Sequence, residues 1–111
     1  MIDRLKISIR LLMNELDHDL VSLAFLAGLI QDEFELSYAD SFDLAIRTFG
    51  EALAEGLICV GPLGHGMLGV EARKFTDENI DVQMKFYISE YSNHVEAGRE
   101  IWACRRKHDK A

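Results

Sequence analysis

The sequence predicts an α+β fold, mostly helical, in which three N-terminal helices lead into a β-hairpin, a fourth helix and a C-terminal strand. Three observations carry that expectation. Apolar residues recur at three- and four-residue steps through much of the first half, the period of helices packed on one side. The apolar run "LICV" at 57–60 then meets a glycine-rich segment, as a strand meets a turn. Finally, 111 residues, 49 % hydrophobic and 28 % charged, suffice for one domain with one modest core.

The elements follow in order. Ile2, Leu5, Ile9, Leu12 and Leu16 form one stripe, so residues 2–16 read as a helix. "DHD" at 17–19 interrupts it, and Asp19 is placed to cap the next helix. Residues 20–31 are apolar nearly all round, which puts that helix at the centre of the domain. Asp40 or Ser41 can cap the third helix, and Phe42, Ala45, Ile46, Phe49 and Leu53 form its inner stripe. Gly56 stands where a left-handed residue ends a helix, letting Leu57 fold back on Leu53.

After the strand at 57–60, Gly61, Gly64, Gly66 and Gly69 permit a tight reversal, and "VEARKF" (70–75) reads as the returning strand. Thr76 caps a fourth helix, with Asp77 and Glu78 in its positive first turn and Ile80, Met84, Tyr87, Ile88 and Tyr91 inside. "SNHVEAG" is a loop, and "REIWACRR" is a last strand that can pair beside the hairpin. Three helices followed by a two-stranded wing make a winged-helix-like arrangement. Residues 1–111 form one domain, with 105–111 a flexible basic tail.

"GHGMLG", Gly64 to Gly69, matches the G-x-G-x-x-G pattern of a dinucleotide-binding turn. That turn needs a helix starting inside the motif, so that backbone amides point at the pyrophosphate. Here the next helix starts only at Thr76, and no Lys-Ser or Lys-Thr follows to make a P-loop. The glycines therefore read as a hairpin tip that binds no nucleotide.

Other chemistry is equally sparse. His18, His65, His94 and His108 have no partner at metal-ligand spacing, and Cys59 and Cys104 lack any metal or redox spacing. Cys59, in an apolar strand, reads as a small core residue. Ser22, Ser37, Ser41, Ser89 and Ser92 lie in no nucleophile-elbow context. No catalytic residue, metal ligand or cofactor is expected, and the chain does not read as an enzyme. "MIDRLKISIR" is an amphipathic start and no signal peptide, and the apolar run Leu20 to Ile30 is far short of the roughly 20 residues of a membrane span. With no targeting segment, two thiols point to the reducing cytoplasm.

Charge is the informative feature. Residues 1–56 hold Asp3, Glu15, Asp17, Asp19, Asp32, Glu33, Glu35, Asp40, Asp43, Glu51 and Glu55 against Arg4, Lys6, Arg10 and Arg47. The remainder balances, so the whole formal charge of −7 lies in the three-helix half. In a DNA-binding winged helix the third helix enters the major groove amid Lys and Arg. Here that helix presents Asp43, Arg47, Glu51 and Glu55, four apart, and "QDEFE" precedes it in the expected loop. Such a face repels a duplex. It suits a basic partner protein, for which Asp32, Glu33, Glu35, Asp43, Arg47, Glu51 and Glu55 form the candidate surface and Phe34 an apolar anchor.

"LAEGLICVG" (53–61), "DENIDVQMKFYISEY" (77–91) and "GREIWA" (98–103) carry a resemblance to a known group. A helix ending in L-x-x-G-L-I, a glycine-containing hairpin, an amphipathic helix and a closing G-R-x-x-W strand resemble the small bacterial immunity proteins of contact-dependent growth inhibition and related toxin systems. Phe75 stands where related sequences often have an aromatic after the hairpin. The resemblance implies a cytoplasmic protein that binds and neutralises one cognate toxin domain, often a basic nuclease, with no catalytic residue of its own. L-x-x-G-L-I also ends the recognition helix of many winged-helix regulators. The alternative is therefore a winged-helix DNA-binding transcriptional regulator using a basic wing or the "CRRKHDK" tail. A small enzyme or ligand-binding domain is the third reading.

Overall fold

A computed structural model describes residues 3–62 and 101–105 of the chain. Its first helix, α1 (Arg4–Leu16), starts where Asp3 accepts a hydrogen bond from the Lys6 amide at 3.2 Å. The expected stripe is rotated slightly. Ser8, Leu12 and Leu16 are the buried line, whereas Leu5 and Ile9 are half-buried along its flank.

Asp19 does not cap the second helix. Its carboxylate accepts from the adjacent Leu20 amide at 2.7 Å, and Val21–Ser22 form a short strand, β1. Ser22 is the cap instead, accepting from the Phe25 amide at 3.1 Å at the head of α2 (Leu23–Phe34). Leu23, Leu26, Ala27 and Ile30 are buried, but Phe25 is 50 % exposed. The near-uniform apolarity of α2 thus overstates its burial. In a domain this small one side of a helix meets neighbours and the other meets solvent.

The third helix, α3 (Tyr38–Ala54), begins earlier than Asp40 or Ser41 would have it. Ser37 caps it, accepting from the Asp40 amide at 3.1 Å, while the Ser41 hydroxyl donates to the Ser37 carbonyl at 2.8 Å. Asp40 then lies in the first turn, where the helix dipole favours a carboxylate. Phe42, Ala45, Ile46, Phe49 and Leu53 are all buried, as their spacing requires. Gly56 has φ 75°. Its amide donates to the Leu53 carbonyl and that of Leu57 to Ala52, both at 3.0 Å, which closes the helix as a Schellman motif.

The chain continues into β2 (Ile58–Pro62), and β3 (Ile101–Arg105) pairs with it. The three strands lie in the order β1-β3-β2, all antiparallel, so the closing strand sits between the other two. Val21, Ile58, Val60, Ile101 and Ala103 are buried in one core with the helices. Alternation puts Cys59, Trp102 and Cys104 on the opposite face, half-buried, so Cys59 is not the core residue its apolar neighbours suggest. Arg105 ends β3 rather than opening a free tail. Its guanidinium donates to the Asp17 carboxylate at 2.5 Å and to the Met13 carbonyl at 3.3 Å, capping the end of α1.

The fold is therefore α+β and mostly helical, with three helices and a small three-stranded sheet among the described residues. The hairpin tip at 64–69, the returning strand at 70–75, the helix expected at 77–91, the loop at 92–98 and the tail beyond Arg105 lie outside the described residues.

Candidate functional site

A groove runs where α3 passes α1 and the last turn of α2. Its wider part, about 1180 Å³, is lined by Asp3, Arg4 and Leu5 at the head of α1, Glu33 and Phe34 at the end of α2, Leu36, and Asp40, Asp43, Leu44 and Arg47 on α3. A narrower part of about 480 Å³ shares Asp3 and Leu5 and adds Lys6, Ile9, Arg10, Glu51 and Glu55. Both parts are open rather than enclosed, and the wider one exceeds the roughly 300–1,000 Å³ of a small-molecule pocket. An open groove suits a macromolecular surface better than an enclosed ligand.

Local sequence explains the arrangement. Asp43, Arg47 and Glu51 recur every four residues, so they share one exposed face of α3. Arg4, Lys6 and Arg10 likewise lie outside the buried line of α1. Packing α1 beside α3 brings the two charged margins to either side of the groove.

Of the eight residues expected at a partner surface, Glu33, Phe34, Asp43 and Arg47 meet in the wide part, and Glu51 and Glu55 in the narrow part. Asp32 and Glu35 are exposed but line neither. "QDEFE" is not a loop. Gln31–Phe34 complete the last turn of α2, because the apolar period carries through Ile30 to Phe34, and Glu35 is its cap in the left-handed region at φ 55°. Phe34 is not a bare anchor either. It is half-buried against the core, and the Arg4 guanidinium stands 5.6 Å from its ring centroid, within cation–π range.

The sequence reading missed Asp3, Arg4, Lys6, Arg10 and Asp40. Their charge and their place off the apolar stripe were visible, but which helix they would face was not. The consequence is electrostatic. Six carboxylates (Asp3, Glu33, Asp40, Asp43, Glu51, Glu55) against four cations (Arg4, Lys6, Arg10, Arg47) leave the groove a net charge of −2. The groove is thus mixed in sign with an acidic excess, and all four basic residues of the first 56 line it. Among the described residues no ion pair closes across it; the Arg105–Asp17 pair lies elsewhere.

The helix ends add a second imbalance. Asp32, Glu33 and Glu35 sit at the C-terminal end of α2, and Glu51 and Glu55 at that of α3. The dipole there is negative and disfavours carboxylates, and no basic residue occupies the last turn of any of the three helices.

Among the described residues no group of three or more His, Cys, Asp or Glu is placed to hold a metal ion, and no helix is long and apolar enough to cross a membrane. No family model, curated protein or solved structure matches the chain.

Proposed function

We propose that this chain is a cytoplasmic immunity protein that captures the basic domain of one cognate toxin, a nuclease in particular, along the groove between α1 and α3. One observation carries the reading. Glu33, Glu51 and Glu55 line the groove at helix C-terminal ends, where they oppose the dipole, so these three are not placed for the stability of their own helices. Features that break a local rule concentrate at functional sites. A nuclease that grips phosphates presents Lys and Arg, and a carboxylate-lined groove meets them as the phosphates would. Arg4 and Arg47 within the groove add selectivity, since they reject a partner surface of uniform positive charge.

A winged-helix regulator is the second reading. The strand between α1 and α2, and the order β1-β3-β2, favour a winged-helix arrangement. The carboxylates of α3 oppose its use on DNA.

The test is co-expression in bacteria with the toxin encoded beside this gene. The variant Asp43→Lys/Glu51→Lys/Glu55→Lys, first shown folded by circular dichroism, is expected to lose protection that the parent confers. Full protection by the variant would reduce the carboxylates to a solubilising surface. Tight binding of a DNA duplex by the parent at physiological salt would favour the regulator.

A further inference from the structure

The sheet brings together two residues that lie far apart in sequence. Cys59 of β2 and Cys104 of β3 are direct partners in the antiparallel register, each half-buried and each a thiol. Opposed residues in such a pair have Cα atoms about 4.5 or 5.5 Å apart, side chains on the same face. A disulfide spans about 4.4–6.8 Å between Cα atoms, which both spacings satisfy, and about 3.5–4.5 Å between Cβ atoms, which opposed residues at about 4.5–5.5 Å reach with a small approach of the strands. Val60↔Ala103 beside the pair belongs to the buried core, which holds the register in place. The face bearing the thiols is only partly covered, and a small oxidant can reach it.

We infer that Cys59 and Cys104 are a redox pair, a modification site that takes a hydroperoxide as oxidant and closes to an intramolecular cross-strand disulfide. One thiolate attacks the peroxide. An S–O bond forms, the O–O bond breaks, and the leaving oxygen takes up a proton as water or an alcohol. The second thiolate then attacks the sulfenic sulfur. The S–S bond forms, the S–O bond breaks, and hydroxide leaves as water. The two thiols give up two electrons and two protons, and the peroxide accepts them. The product joins β2 to β3 and closes the chain from residue 59 to residue 104 into a loop. Because that restricts the unfolded chain, the oxidised form is the more stable one. Trp102, the sole tryptophan, lies two residues from Cys104 on the same face, and a neighbouring disulfide quenches its fluorescence.

The experiment uses the full-length chain, reduced and then treated with hydrogen peroxide. Intact mass under denaturing conditions should fall by about 2 Da, the two hydrogens lost on disulfide formation. Both thiols should become inert to iodoacetamide, peptide mapping should join the Cys59 and Cys104 peptides within one chain, Trp102 emission should drop, and the urea midpoint should rise. Dithiothreitol should reverse every change. In Cys59→Ser and in Cys104→Ser the remaining thiol should stop at a sulfenic acid trapped by dimedone. The inference is overturned if both thiols of the treated parent still alkylate, if linkage occurs only between chains, or if the cysteines pass to sulfinic acid unlinked.

Discussion

Two buried hydroxyls show how strongly single positions are constrained. Thr48 is fully buried, yet its hydroxyl donates to the Leu44 carbonyl one turn back at 2.7 Å. Ser8 is as deeply buried on α1, and its Oγ has no hydrogen-bond partner among the described residues. An unpaired buried hydroxyl costs about 1–3 kcal/mol, and alanine is also the better helix former. Ser8→Ala is therefore expected to stabilise the protein by about 1 kcal/mol, read as a higher urea midpoint at unchanged slope. Phe49 has the opposite character. Its ring is wholly enclosed, so Phe49→Ala should cost about 3–5 kcal/mol, a large share of the roughly 5–15 kcal/mol that holds a domain together. A melting temperature unmoved by that substitution would mean that the ring is not enclosed.

At the scale of elements, the ends of α2 and α3 behave differently. Gly56 closes α3 in the left-handed region without strain, but the same region at the end of α2 is occupied by Glu35 at φ 55°. A side chain there costs about 1–2 kcal/mol. Glu35→Gly also removes a carboxylate from the negative end of the helix, so it should stabilise by about 1 kcal/mol after the added freedom of the unfolded chain is offset. Because Glu35 lies outside the groove, capture of the proposed toxin partner should not change, which calorimetric titration can check. These ends also mark what sequence could reveal. The inner stripe of α3 and its glycine stop were legible because both are local patterns, five apolar positions in helical phase and one residue without a Cβ. β1 was not legible, since two residues show no alternation and exist as a strand only through pairing with residues 102 and 103. The end of α2 was misread because "QDEFE" looks like a polar loop when its charges are counted and its phase is not.

At the scale of the molecule, topology decides what composition could not. Composition placed the −7 charge in the helical half. Only the packing of α1 along α3 shows that six carboxylates and four cations face one groove, while Glu15, Asp17, Asp19, Asp32 and Glu35 lie away from it. The opposition of Cys59 and Cys104 is likewise a property of register that their separation in sequence hides. If the groove captures a basic partner, attraction must show in the rate of encounter, which salt screens over about 10 Å at 0.1 M. The direct measurement is stopped-flow association with the proposed basic toxin partner, over a series of salt concentrations, for the parent and for Asp43→Lys/Glu51→Lys/Glu55→Lys. The parent should associate faster as salt falls, and the variant should be slower at low salt by about tenfold or more, with a flattened salt dependence. Equal rates and equal salt slopes for the two proteins would contradict capture by the groove.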